Sequence, residues 1–459
     1  MKYRMEKDAL GEVKVPSDAY YGSETARSLE NFNISGISIQ REFIRSYAII
    51  KSSAALANHS IGKLDNKRKD AIVAACDEIL RGSLSDQFFL DIFQAGAGTS
   101  TNMNLNEVIA NRAIEIIGGK KGDYSIMHPN DHVNMSQSTN DTYHTAIHIS
   151  SYISAKENLL PAILHLSNAF QSKSREFEDV IKVGRTHLQD AVPIRLSDEF
   201  SGYAGILRKA YDNVSNAINL FLELPLGGTA VGSGINAGKG YSSKAIHEIN
   251  SMLGEKFYPS KNIYAVMQNQ HEEIVASDAL AELATLLGKI ANDLRLLSSG
   301  PRAGICELIL PEIQPGSSIM PGKINPSMAE MMNMVSFQVI GNATTVREAG
   351  SSSQLELNVF MPIISYNLLF SINILSKGMH SFADRCIAGI KINKAVIKKH
   401  LDNDLSMATA LVPYIGYEKA AEIARKAYLE NKSIFEIALG MHVMDGKKLK
   451  RVLDPEKFI

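Results

Sequence analysis

Four segments of the chain mix glycine or proline with hydroxyl, carboxamide and cationic side chains. They are Ala95-Gly-Ala-Gly-Thr-Ser-Thr-Asn-Met-Asn104, the stretch from His128-Pro-Asn-Asp131 to Gln137-Ser-Thr-Asn-Asp141, Gly184-Arg-Thr-His-Leu-Gln-Asp190, and Gly316-Ser-Ser-Ile-Met-Pro-Gly-Lys-Ile-Asn325. Hydroxyls, amides and free backbone N–H groups are neutral donors suited to carboxylate oxygens. Lys323 adds a strong positive charge. Together these groups fit the capture of a small dicarboxylate. We read no metal-ligand pattern in the chain, and expect neither a bound metal nor a cofactor.

Each segment also has an ordinary explanation. A Gly-Ala-Gly-Thr turn is by itself a helix entry with a threonine cap. His128-Pro-Asn-Asp131 is a good turn sequence, and a lone His187 is commonly structural. The Gly316–Asn325 segment resists that treatment. It places a lysine in a glycine-bounded loop directly ahead of an apolar helix-like run.

The elements that must position these segments read as long helices. Leu280, Leu283, Leu287, Ile290, Leu294 and Leu297 recur at alternating spacings of three and four, a seam that packs helix on helix. Leu159, Ile163, Leu166 and Phe170 repeat the pattern. Met328 to Ile340 is apolar nearly all round and predicts a helix buried on several sides, its methionines core packing. Strand-like alternation is confined to short pieces near Glu12–Val15 and Ile181–Val183. Glycine clusters at 96–98, 227–234, 300–304 and 316–322, and the serines at 351–353, mark breaks. The reading is therefore an all-α, mainly helical fold with minor β structure. Three parts are expected: residues 1–137, a bundle of long helices over 138–392, and a small helical part over 393–459.

With 459 residues, 45% of them hydrophobic, the chain can bury a large core. Its 48 basic and 49 acidic residues leave a net charge of -1, which gives no field to hold nucleic acid or an anionic membrane. Cys76, Cys306 and Cys386 are widely spaced in apolar, helical-looking stretches and are read as reduced packing residues. The most apolar stretch, Phe360–Leu375, is interrupted by Pro362, Ser365, Asn367 and Asn373 and is too short to span a bilayer. A soluble, cytoplasmic protein is expected.

In this order the four segments resemble the characteristic regions of the fumarase/aspartase superfamily. The likeness extends to Asp18-Ala-Tyr-Tyr-Gly22, Glu30-Asn-Phe32, Leu226-Gly-Gly-Thr-Ala-Val-Gly232, Ser299-Gly-Pro-Arg-Ala-Gly304, Glu356-Leu-Asn-Val359 and Ile415-Gly-Tyr-Glu-Lys-Ala-Ala421. That covers nearly the whole chain, and the Gly-Ser-Ser-x-Met-Pro-x-Lys-x-Asn loop is highly specific. The resemblance implies a lyase that removes a group beta to a carboxylate-stabilised carbanion and releases fumarate. It implies Ser317 as the base, acting as an alkoxide held by surrounding donors. Lys323 and Asn325 would grip a carboxylate, with Thr99, Ser138, Thr139, Asn140 and Thr186 as further substrate contacts. His187 would act in catalysis, oriented by Glu330. A secondary anion site is implied at His128, Asn130 and Asp131. The resemblance also implies a homotetramer whose long helices share one bundle and whose active sites draw on different subunits.

Within the superfamily the sequence points two ways. Gly96-Ala-Gly-Thr-Ser100, Gln137-Ser-Thr-Asn-Asp141 and Asn325-Pro-Ser-Met-Ala-Glu-Met-Met-Asn333 resemble aspartate ammonia-lyases. His128-Pro-Asn-Asp131, Glu199-Phe-Ser-Gly-Tyr203, Leu226-Gly-Gly228 and Ser406-Met-Ala-Thr-Ala-Leu411 resemble class II fumarases. Because the leaving group is read by the substrate-contacting segments, aspartate is the first expectation and malate the second. A relative that kept the fold as a scaffold or dicarboxylate binder would be expected to lose Ser317, Lys323 or His187, and all three are present. Ala343, Ser233 and Ser197-Asp198 depart from the superfamily pattern, and so does His144, where proline is usual; of these His144 lies close to the substrate-binding segment.

Overall fold

The computed structural model describes residues 2–459. Helices dominate, and the strands form two-stranded sheets only. The chain divides into two compact units. One runs to residue 160 and adds 212–282 and 337–375; the other comprises 161–211, 283–336 and 376–459.

The first unit opens with an antiparallel hairpin of β1 (Tyr3–Asp8) and β2 (Gly11–Pro16), longer than the extended piece expected there. Helices α1 (Arg41–Ser60), α2 (Thr99–Ile116) and α3 (Thr139–Ser154) follow. Helix α2 is rich in asparagine, a weak helix former. Tertiary partners offset this: Asn104 donates to the Gln87 carbonyl at 3.1 Å and Asn111 to the Tyr20 carbonyl at 2.9 Å. Phe43, Tyr47 and Tyr143 pack edge to face between α1 and α3. Beyond α3 the chain winds one wider turn over Ala155–Leu159 before continuing as α4 (Leu160–Glu176). Pro161 explains it, because its missing N–H and its ring disfavour the regular bond to the turn before.

The second unit carries an antiparallel hairpin of β3 (Ile181–Thr186) and β4 (Gln189–Arg195), which leads into α5 (Leu196–Ile218). Helix α6 (His271–Leu297), whose residues up to Glu282 belong to the first unit, carries the leucine seam, and each of the seam's six residues is buried. Helix α7 (Ser327–Ser351) departs from its reading. Ala329, Met332 and Val339 are buried, but Met334 is 64% and Phe337 68% exposed, and Ile340 is exposed too. An apolar stripe reports that a face wants to be covered, not whether the same chain covers it. Helix α8 (Met361–Arg385) ends beside Cys386. Farther on, Ile423, Ala427, Ile437 and Leu449 gather the last helices around a small cluster of their own. All three cysteines are free and buried, but Cys306 lies in a loop at positive φ rather than in a helix. Among the described residues, no helix is long and apolar enough to cross a membrane.

Candidate active site

In the first unit the functional segments sit at the entries of α2 and α3. The turn before α2 is set by Gly98 at φ +84°, where an added Cβ would lie 2.1 Å from the Tyr143 ring. The Ala97 N–H donates to the Val359 carbonyl at 2.8 Å, so residue 359 straps the turn from outside. Thr99 then starts the helix, exposed; its N–H donates to the Gly96 carbonyl and the Thr101 N–H to the Gln94 side-chain oxygen at 2.9 Å. A cavity of about 350 Å³ opens next to Thr99 and Ser100. On its far lining Arg27 is held by Asp8 at 2.6 Å.

Ser138 caps α3. Its backbone N–H donates to Asp141 at 2.9 Å and its hydroxyl accepts from the Asn140 N–H at 3.3 Å. The Asn140 amide donates to the Ala230 carbonyl at 2.7 Å, which leaves its own oxygen free. Asp141 also accepts from the N–H groups of Gly227 and Thr229 at 2.9 and 3.1 Å, tying the glycine loop to the helix entry. Burial pushes the Asp141 carboxyl up to about 6, against the pull of those N–H groups and of Lys51.

Lys51 was not singled out in the sequence, yet it organises this half of the site. Fully buried on α1, its ammonium donates to Asn102 at 2.7 Å, Asn134 at 2.9 Å and Gln137 at 3.0 Å. Loss of water lowers it to about 7, with the Asp141 charge opposing. With the Asn102 oxygen so occupied, its NH2 donates to the Thr139 hydroxyl at 3.0 Å. Thr139 is therefore an acceptor inward, and its own proton is free to point at a ligand. The signal in the sequence was a single lysine in the otherwise uncharged run Ser46–Ala57 of α1.

Farther along the same unit, His128 closes the turn at residues 129–133. Its Nδ1 accepts from the N–H groups of Asn130 and Asp131 at 3.1 and 3.2 Å. That nitrogen carries no proton in this arrangement, so the 3.6 Å approach of Asp131 is not a hydrogen bond. His144, close to Ser138–Asn140 in sequence, has a different neighbour in the fold. It faces inward, fully buried, 3.0 Å from Glu273, and not toward the substrate-binding segment. The expectation of no metal-ligand pattern also needs correction: it passes over His144-Thr-Ala-Ile-His148, an HxxxH pair.

The second unit presents two further segments. Thr186 ends β3, and the two-residue turn is His187-Leu188, at φ +54° and +59°. Such turns favour Asn-Gly, so two bulky residues there hold strain of roughly 1 kcal/mol each. The hairpin is anchored from below. Arg185 grips the buried Glu307 at 2.7 and 3.1 Å, and Lys182 and His400 approach it at 3.2 and 3.0 Å. Burial alone would raise the Glu307 carboxyl, but the Arg185 and Lys182 charges and the hydrogen bonds of Arg185 and His400 hold it below its ordinary value.

The loop 316–325 folds on itself. The Gly316 N–H donates to the Lys323 carbonyl at 2.8 Å, and the Asn325 amide donates to the Gly316 carbonyl at 2.7 Å. A Cβ on Gly316 would meet the Lys323 oxygen at 2.4 Å, so glycine is required. Inside the loop the Ser317 hydroxyl oxygen accepts from the N–H groups of Ile319 and Met320 at 3.2 and 3.0 Å. Two donors on one serine oxygen stabilise it as an anion. Lys323 projects into solvent. Glu330 lies in the first turn of α7, and among the described residues no hydrogen bond or ion pair joins it to His187. Each unit thus assembles its own segments: the entries of α2 and α3 in one, the His187 turn and the Ser317 loop in the other.

Residues 11–341 match the family described as lyase, and residues 407–459 the family described as fumarase C C-terminus. The chain belongs to this lyase family. It is 46% identical, over 100% of its own length and 99% of the other's, to a class II fumarate hydratase of Campylobacter jejuni. It is also 46% identical, over 98% and 96%, to an aspartate ammonia-lyase of a Bacillus species. A crystal structure of a class II fumarase from Schistosoma mansoni superposes with a TM-score of 0.96 at 38% identity, covering 99% of each chain. The protein is a lyase with the mainly helical fold of that family.

Proposed function

We propose that the enzyme reversibly interconverts L-malate with fumarate and water, with the proton taken by Ser317. The observation that carries the mechanism is the pair of N–H groups on the Ser317 oxygen. The proton beside a carboxylate is barely acidic, so a strong base and a sink for the growing charge are both needed. Ser317 supplies the base as an alkoxide, its negative charge held by Ile319 and Met320. The Lys323 ammonium and the second N–H of Asn325 receive the doubly charged carboxylate as the proton leaves. Thr99, Ser138, Thr139, Asn140 and Thr186 hold the rest of the substrate by neutral donors. His128, Asn130 and Asp131 form a secondary anion site, through the outer ring nitrogen of His128 and the side-chain amide of Asn130, on the turn that His128 Nδ1 holds by accepting from the Asn130 and Asp131 N–H groups.

Two features support malate. Hydroxide is a poor leaving group and needs a proton donor, whereas ammonia departs without one. His187, raised on a strained turn, is a suitable donor, with Glu330 orienting it across a subunit boundary. Relatives named fumarate hydratase also match the whole chain. L-Aspartate is the second reading, favoured by the Gly96–Ser100 and Gln137–Asp141 segments. The open stripe of Met334, Phe337 and Ile340 supports a homotetramer in which partner helices cover α7 and complete each active site. A cytoplasmic location fits three buried, unpaired thiols.

The test is a parallel assay with L-malate and L-aspartate, following fumarate by ultraviolet absorption and ammonia separately. Fumarate from malate without ammonia supports the first reading. Stoichiometric ammonia from aspartate supports the second. Fumarate from neither removes the lyase reading of this site.

A further inference from the structure

Helix α3 carries His144 and His148 one turn apart, so both imidazoles leave the same face. Helix α6 brings Glu273 against them. All three side chains are fully buried. The Glu273 Oε1 lies 3.0 Å from His144 Nε2 and 3.2 Å from His148 Nε2. At those separations a ring N–H aimed at the carboxylate would make a good hydrogen bond. None is made: both Nε2 atoms and both Glu273 oxygens lack any hydrogen-bond partner. The other nitrogen of His148 accounts for its proton. Its Nδ1 sits 2.6 Å from the Glu223 carbonyl, which can only accept, so Nδ1 is the protonated nitrogen. When the ring is neutral it presents a bare lone pair at Nε2, beside a carboxylate that also has only lone pairs to offer.

We infer that His144, His148 and Glu273 form a binding site for a divalent transition-metal ion of the zinc class, which fastens α3 to α6. Two imidazole nitrogens and a carboxylate suit zinc, cobalt or nickel rather than calcium or magnesium. The candidate ligand atoms lie within 4.8 Å of one another. A tetrahedral centre with bonds of about 2.0–2.1 Å places its ligand atoms roughly 3.3 Å apart, close to the two contacts seen. The Glu223 carbonyl beneath His148 is the outer partner that holds a ligating ring in place. Charge is consistent as well. A dication meets the Glu273 carboxylate and, nearby, Glu272, whose Oε2 is buried without a partner.

The competing occupant of this pocket is a proton. Burial drives the His148 ring toward neutrality, but the Glu273 charge outweighs it and favours the protonated form. One ion can join both Nε2 atoms and the Glu273 carboxylate at once, whereas one proton serves the contact of a single ring. The ion's place is structural: α3 begins with Ser138, Thr139 and Asn140, and the site pins the same helix one turn further in.

The site is tested by metal content. The enzyme is produced in zinc-supplemented minimal medium, dialysed against chelator and analysed by elemental mass spectrometry. About one zinc per chain is expected, against a tenth or less in His144→Leu and Glu273→Gln. His380→Ala is the control, because His165, His380 and Asp384 form an exposed cluster that can take up metal adventitiously; it should keep the full complement. Production with cobalt should give the intense visible absorption of a tetrahedral centre in wild type and His380→Ala only. His144→Leu replaces a buried ring by an apolar group of similar size, and its fold is checked by circular dichroism. Wild-type protein without zinc above background overturns the inference. So does a folded His144→Leu that retains wild-type zinc.

Discussion

Replacing Lys51 by methionine isolates the titration of a buried lysine. The ammonium has no water and three amide oxygens, and burial lowers it from the ordinary 10.5 to about 7. Between those values the unfolded chain holds the proton and the folded chain has released it. The unfolded state therefore binds more protons, and stability contributed by Lys51 rises with pH across this window. Below about 7 both states are protonated, the contribution is constant, and the cost of burying the charge is carried in full. At about 1.4 kcal/mol per pH unit, the ceiling over the window is about 5 kcal/mol. Neighbouring groups are silent between pH 8 and 10. Asp141 is ionised by then, at about 6, and burial pushes Cys76 and Tyr47 above the window. Methionine matches the length of the side chain and does not titrate. It leaves the oxygens of Asn102, Asn134 and Gln137 short of a donor, a penalty of about 1–3 kcal/mol each that does not vary with pH. The assay is urea unfolding of both proteins at pH 8, 9 and 10, taken as the difference in stability. Wild type should gain about 2–3 kcal/mol on the variant across this range. A flat difference would refute the reasoning, because Lys51 would then carry the same charge in both states.

Other outcomes follow from the same geometry. Ser317→Ala should lower turnover by about a thousandfold or more while fumarate still binds, measured by single-turnover kinetics and calorimetry; near-normal turnover removes Ser317 as the base. His187→Asn keeps the turn residue polar but cannot donate a proton at neutral pH. It should slow malate turnover about a hundredfold, and unchanged turnover removes His187 as the proton donor. Phe337→Glu places a charge in the open stripe of α7. It should shift the enzyme to smaller species in analytical ultracentrifugation and abolish activity in proportion; an intact tetramer excludes that face as an interface.

What the chain reveals about itself depends on how local the cause is. The Gly316–Asn325 loop was legible because its chemistry is contiguous: the glycine, the serine, the two N–H donors and the closing asparagine lie within ten residues. The leucine seam of α6 was equally legible, since a period of three and four writes burial directly into sequence. The hairpin at 181–195 showed only its first half, because Pro193 and a bulge near Gly184 obscure the alternation in β4. For α7 the stripe was read correctly as apolar, but its own chain leaves Met334, Phe337 and Ile340 uncovered.

The sequence by itself determined the helical architecture, the four polar segments and the superfamily, because periodicity and short motifs act over one or two turns. The tertiary structure decided the partners. Lys51 gained its place from Asn102, Asn134 and Gln137, and Asp141 from Gly227 and Thr229, contacts across wide gaps in the chain. His144 is the plainest case. In sequence it stands close to Ser138–Asn140. The helical twist turns it away, into the core, to meet a carboxylate from a helix far along the chain. Direction around a helix and pairing between distant elements are properties of packing, and no local pattern encodes the partner.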